Sequence, residues 1–340
     1  MNMIIKHIGL LLLLTFLGLQ GFGQSNIEDL VKEGVQYHDN GDYEKAIATY
    51  KKALEIDPKS ALVNYEMALS YFKKGDYKEV IKYSDVVLKQ KESYMLQAYM
   101  TKGSALDLLG KTKKSIKLFE KAIKNIGGHY LLYYNLALNY YKMNNFDMAE
   151  ENVIKAIETN SSHASSHLML ANIHNLRGHS VQALLATYYF LFLEAGTQRS
   201  AAALEMLQDN FGRNVSENES NPNAVDIMLS LNNTSQFGAA ELMVLMLEAS
   251  KSLEENRDKS EDQLFVENTG SFFTMLGELR KEEDQEIWWT LYTAFFYDLA
   301  QSEHLETYCK YITQSSNENS RKWLLENNSK LEDFDNWLQN

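Results

Sequence analysis

Three histidines offer the most suggestive chemistry in this chain of 340 residues. His163, His167 and His174 stand at i, i+4 and i+11, within about 40 degrees of one another on a helix, as metal ligands often do. Seven residues of helix, however, set His167 about 10.5 Å from His174, too far to share one ion. Packing on a helix face is the simpler role, and no metal is expected. Asp39, Asn40, Gly41 and Asp42 open like a calcium loop, yet Tyr50 stands at the twelfth position, where such a loop needs a bidentate Glu. Two acidic runs, Glu282, Glu283, Asp284 and Glu286, then Glu332, Asp333 and Asp335, could serve as acid and base around a shared cleft. Carboxylates beside helix starts more often serve the helix dipole. Cys309 has no histidine near it in sequence and reads as a packed thiol. No G-x-S-x-G, H-E-x-x-H or phosphate-loop pattern occurs. These residues predict binding without catalysis and without a cofactor.

The elements that must position such side chains are helices. The chain holds 2 prolines and 17 glycines, below the usual ~5 and ~7 per cent, which favours long uninterrupted helices. A single cysteine excludes an internal disulfide, a multi-cysteine zinc site and a cysteine-held iron-sulfur cluster. With 33 basic against 46 acidic residues the net charge is -13, the wrong sign for holding phosphate backbones, so nucleic acid is not an expected partner.

Residues 1–23 read as a secretory signal. Lys6 and His7 precede an apolar run from Ile8 to Leu19, and Gly21 and Gly23 supply the small residues of a cleavage site. The competing reading is an uncleaved anchor, because Ile4 to Phe22 approaches the lower length limit of a spanning helix. No cysteine stands at the cleavage point, so a lipoprotein anchor is not expected. Cleavage after Gly23 would leave an exported chain beginning at Gln24, without a stable membrane anchor. Such a chain would be periplasmic, at the cell surface or secreted, and its lone cysteine suits a Gram-negative periplasm.

The strongest pattern is a repeat. GDYEKAI begins at Gly41 and GDYKEVI at Gly75, followed by GKTKKSI at Gly110, NNFDMAE at Asn144 and GHSVQAL at Gly178, at steps of 34, 35, 34 and 34 residues. The 171 residues from Ile27 to Thr197 make about five such units, starting near 27, 61, 96, 130 and 164. Each reads as two amphipathic helices joined by a glycine turn, a hairpin that buries its apolar stripe only by stacking on the next. In the first unit, Leu30, Gly34, Tyr37, Ala46, Tyr50 and Ala53 supply apolar, small and aromatic positions, and Pro58 closes the unit. The later units keep Ala68, Tyr71 and Tyr77, then Tyr99, Gly103, Phe119 and Ala122, then Tyr133, Ala137, Tyr140, Phe146, Ala149 and Ala156, then Ala171 and Ala183. On these residues the chain resembles the tetratricopeptide repeat (TPR) family. The second unit departs with Val80 and Val87 in small positions, and the fifth with Phe190.

The resemblance implies an all-α TPR solenoid in which the first helix of each unit lines a concave groove for an extended peptide or a partner helix. The positions implied are Tyr65, Leu69, Phe72, Met100, Tyr134, Leu138, Tyr141 and Leu168, more apolar than a solvated face needs to be. Two occupants stay open at this point: a foreign protein or peptide, or the chain's own C-terminal half. Val31 and Val35 replace the Lys and Asn with which TPR domains clamp a terminal carboxylate, so that mode is not expected.

From Gln198 to Asn340 the balance is 11 basic against 26 acidic residues. A polar loop is expected over 209–223, followed by helices near 224–231, 239–253, 263–279, 285–300, 305–313, 320–326 and 331–338. Without a clear repeat, this region reads as a helical cap or bundle that covers the last apolar face of the solenoid. Trp288, Tyr292, Phe295 and Leu299 share one stripe and read as core, whereas Trp289 and Phe296 lie on the adjacent face. If those two are exposed they could stack on sugar rings, which makes a carbohydrate-binding protein the second functional reading. A hydrolase built on the acidic runs is the third.

Overall fold

A computed structural model describes residues 26–91, 93–218, 224–228 and 236–339. The signal-like segment 1–23 lies outside the described residues. The chain divides into two units, Met1–Asn145 and Phe146–Asn340, and the boundary falls between the two helices of the fourth repeat.

In the first unit, α1 spans 26–39, followed by α2 (Tyr43–Ile56), α3 (Ala61–Lys74), α4 (Tyr77–Gln90), α5 (Met95–Leu108), α6 (Thr112–Ile126) and α7 (Tyr130–Lys142). From α2 to α7 each helix packs on the next, and α5 also touches α3 and α7. The repeated glycine turns have a backbone cause. Gly41, Gly75 and Gly110 adopt φ of 79, 79 and 71 degrees, and Asn144 adopts 57 degrees, a left-handed conformation that glycine reaches without penalty and asparagine tolerates. At Gly75 it ends α3: the amide donates to Phe72 O, and that of Asp76 to Tyr71 O. The Asp76 side chain then caps α4 through the Glu79 amide.

The small and aromatic positions interlock. A Cβ at Gly34 would sit 2.2 Å from the Tyr50 ring, and one at Gly103 would sit 2.1 Å from Phe119. Each glycine is thus a notch that lets a second-helix ring reach the first-helix backbone. Asn139 Nδ2 donates to Ser115 Oγ at 2.8 Å, and that hydroxyl donates to Gly103 O at 2.8 Å, joining α5, α6 and α7 through a buried chain.

The second unit continues with α8 (Phe146–Thr159), α9 (Ala164–Arg177), α10 (Ser180–Leu193) and α11 (Gln198–Gly212). Gly178 repeats the left-handed turn at φ 74 degrees. Helix α10, SVQALLATYYFLFL, is buried along almost its whole length, as expected of a helix apolar on all sides. It packs on α9 and α11, and also against helices further along the chain: α12 (Gly238–Ser250), a π-helical turn at Trp288–Thr293 and α15 (Leu305–Thr313). Phe190 therefore fills a core and not a narrow repeat position. The remaining elements are α13 (Glu261–Leu279), α14 (Ala294–Gln301), α16 (Glu318–Glu326) and α17 (Asn328–Leu338). Tyr188 of α10 sits at the centre, its hydroxyl 2.9 Å from Thr269 Oγ1 and its carbonyl accepting from the Tyr308 hydroxyl at 3.0 Å.

Two expectations are corrected here. Of the helix expected at 224–231, residues 224–228 are described, and they hold a strand instead, β2 (Val225–Ile227), paired antiparallel with β1 (Val215–Glu217) so that Val215 faces Ile227. Valine, aspartate and isoleucine alternate along β2 with a period of two, the spacing a strand uses. The polar stretch 209–223 is also not all loop, since it completes α11 and supplies β1.

Candidate functional site

Helix α3 carries Tyr65, Leu69 and Phe72 at i, i+4 and i+7, one face of a helix, and all three are half-buried. Helix α7 repeats the pattern with Tyr134, Leu138 and Tyr141, also half-buried, and α5 between them contributes half-buried Met100. Because α5 touches both neighbours, these seven residues lie on three successive first helices of the repeats. Leu168 is half-buried on α9 in the other unit.

Fixed contacts hold this face. Tyr65 stacks on Tyr94, centroids 5.5 Å apart and planes 19 degrees apart. Tyr94 immediately precedes α5 at φ 64 degrees, an uncommon conformation for a bulky side chain. No residue spacing announces Tyr94 as a member of the face; its turn geometry alone brings it there. Phe72 meets Tyr77 edge-on at 5.6 Å. Asn135 Nδ2 donates to Leu131 O at 2.9 Å and reaches Met100 Sδ at 3.8 Å. Lys142 pairs with Asp107, and Thr112 donates to the same carboxylate at 2.7 Å. Burial, reinforced by Glu66, pushes the Tyr65 phenol above its ordinary value; burial and then Asp39 do the same to the Glu66 carboxyl. The face is apolar and preorganised, with few charges of its own.

The histidines separate into structural roles. His167 is fully buried; its Nε2 donates to Ser161 O at 2.8 Å, which leaves Nδ1 to accept from the Tyr292 hydroxyl at 2.7 Å. Its ring also stacks on Tyr189. Burial holds it neutral, pulling its pKa to about 4. His174 lies between Glu150, at 3.2 Å from Nε2, and His179, with Trp288 edge-on at 4.8 Å. Burial of Glu150 opposes its ionisation, but His174 and Arg177 outweigh that and hold its carboxyl below the usual range. Among the described residues, no group of three or more His, Cys, Asp or Glu could hold a metal ion.

The two acidic runs serve local ends. Asp284 accepts from the Lys281 amide, Glu286 from Gln236, Glu332 from Asn328 and Asp335 from Gln339. Glu282 lines a cavity of about 350 Å³ with Arg280, Lys281, Tyr297 and Asp298, and none of the second run reaches it. Cys309 is buried, which pushes its thiol far above the range where it would act as a nucleophile.

The carbohydrate reading required exposed Trp289 and Phe296, and the structure overturns it: they are 2% and 0% exposed. Trp288, Trp289, Tyr292 and Thr293 of the π turn and Phe296 of α14 are all buried. Trp289 stacks on Phe237 at 4.9 Å and donates from Nε1 to Gln236 Oε1 at 3.0 Å.

A TPR repeat model matches residues 34–75, and a tetratricopeptide repeat model matches residues 96–126 and 130–163. Among curated proteins, a TPR repeat-containing protein of Methanocaldococcus jannaschii is 27% identical over 168 residues, 48% of this chain and 29% of that relative's length. Among solved structures, a thermophilic TPR protein of Thermus thermophilus gives a TM-score of 0.44 at 18% identity, covering 54% of this chain and 99% of that one. The pilF protein of Pseudomonas aeruginosa gives 0.47 at 18% identity, covering 56% and 91%. YrrB, described as a TPR protein with an unusual peptide-binding site, gives 0.41 at 18% identity, covering 55% and 97%. The chain thus carries tetratricopeptide repeats and has an all-α TPR fold, a class whose repeats generally mediate protein–protein interaction.

Proposed function

We propose that this protein is an exported, non-catalytic binding protein of the cell envelope, whose repeats hold a protein or peptide partner along the face formed by α3, α5 and α7. The carrying observation is the pair of half-buried triplets, Tyr65, Leu69 and Phe72 on α3 and Tyr134, Leu138 and Tyr141 on α7, flanking Met100. Rigid aromatic anchors give large contact area at small entropy cost, and the Tyr65–Tyr94 stack fixes one before any partner arrives. Export is supported by the n-region, apolar run and small-residue site of residues 1–23.

The test is photocrosslinking from positions 65 and 134 in living cells, followed by mass spectrometry. A discrete foreign protein at both positions is the expected result. Capture confined to the chain's own 198–340 segment would overturn the reading.

A further inference from the structure

The second unit holds a cavity of about 700 Å³, within the range that accommodates a ligand or several side chains. Its floor is apolar: Leu204, Leu207 and Phe211 of α11 and Leu264 of α13 are buried there, with half-buried Phe265 beside them. Asn268 lines the wall and is only 8% exposed. Its Nδ2 donates to Leu247 O at 3.1 Å, and among the described residues no donor reaches its Oδ1. That amide oxygen keeps an open lone pair that a ligand N–H could use.

The rim is acidic on four helices, α11, α12, α13 and α16. Glu248 is paired with Lys251 at 2.6 Å, and Asp262 accepts from Lys310 and Asn317, each at 2.7 Å. Glu205 of α11, Glu261 at the start of α13 and Glu318 at the start of α16 have no ion pair among the described residues. Helix N-termini help to hold Glu261 and Glu318; Glu205, within α11, has no such compensation. The surrounding field has the same sign, since residues 146–340 contain 31 acidic against 13 basic residues.

We propose that this cavity is a second docking site, for a segment of a partner protein in which basic residues flank apolar side chains. The floor takes the apolar side chains, Asn268 Oδ1 accepts an N–H, and the rim carboxylates pair with the flanking cations. Among the described residues no group of three or more His, Cys, Asp or Glu could hold one metal ion, whereas several basic residues on one segment can each meet a separate carboxylate. The negative field of the unit would steer such a segment toward the cavity. This site is distinct from the repeat face and does not depend on what that face binds.

The test is fluorescence anisotropy on the full chain from Gln24 at about 0.15 M salt. Three dye-labelled peptides are compared: a leucine–phenylalanine pair flanked by lysines, the same pair flanked by glutamates, and a serine pair flanked by lysines. Saturable binding of the first alone is expected. The triple variant Glu205→Gln, Glu261→Gln, Glu318→Gln should weaken it at least about tenfold. The exposed triple Glu255→Gln, Glu283→Gln, Glu303→Gln removes the same charge from the same unit and should change affinity less than about twofold. Equal losses in the two triples would reduce the effect to general charge and overturn the site. So would equal binding of the serine peptide, or no saturation up to about 1 mM.

Discussion

His167 shows how a residue that looks like a ligand can be committed to the core. Its folded pKa is lowered from the ordinary 6.5 to about 4, and burial is the leading cause. The neutral ring is therefore the folded form, so this stabilisation is complete above about pH 6.5 and is lost as pH falls toward about 4. We expect stability of the second unit, followed by the fluorescence of buried Trp288 and Trp289, to drop by about 3 kcal/mol across that window from this group. His167→Gln should flatten that part of the pH profile; an unchanged slope would show that another group titrates there. Lowered values at half-buried His163 and at exposed His179, each caused first by burial, act with the same sign. The tryptophans carry a second expectation at this scale. Because Trp288 and Trp289 are enclosed, oligosaccharide titration should leave their emission unchanged, and a saturable response would contradict the packing around the π turn.

At the scale of elements, repeat geometry rests on turns and notches. Four of the five repeat turns place glycine in the left-handed region, and the fifth places Asn144 there. Asn144→Gly should therefore raise stability by about 0.5–1 kcal/mol in urea titrations, whereas Gly75→Ala should lower it by about 1–2 kcal/mol. The notches run the other way, since a side chain at Gly103 would enter the Phe119 ring. Gly103→Ala should cost about 1–3 kcal/mol. Pairing it with Phe119→Leu should cost less than the sum of the two single changes if the clash is the cause. These positions were legible beforehand because small residue, ring and turn recur at fixed offsets. The β1–β2 pair was not, because three residues per strand are too short for periodicity to outweigh a helical neighbourhood. The burial of Trp289 and Phe296 was not legible for a related reason: periodicity places them beside the Trp288–Tyr292 stripe, and how far packing extends around the helix is set by segments distant in sequence.

At the scale of the whole molecule, the two units differ in charge as well as in fold. Residues 26–145 carry 19 basic against 15 acidic residues, so the chain's net negative charge comes entirely from the second unit. Two surfaces of different chemistry follow: an aromatic face on the repeats and an acidic, apolar-floored cavity in the second unit. Tyr65→Ala with Phe72→Ala should reduce partner capture at the repeat face by at least tenfold, the scale of a lost aromatic hot spot. Melting of the chain should shift little, because both side chains are half-exposed. Loss of capture together with collapse of the melting transition would instead make them core residues. Export has its own check at this scale: intact-mass measurement of protein recovered outside the cytoplasm should give a chain beginning at Gln24, and a full-length mass would refute cleavage.

The sequence by itself determined the repeat period, the glycine turns, the small and aromatic repeat positions and the apolar stripes on α3 and α7. These depend on contacts between helices adjacent in the chain, so their energetics repeat with the residues and can be counted there. Only the tertiary structure decided that α10 is a core helix, that Trp289 is enclosed, that His167 meets Tyr292 across 125 positions, and that α11, α13 and α16 bring their carboxylates around one cavity. Those contacts join segments far apart in sequence with no common period, so no local pattern encodes them.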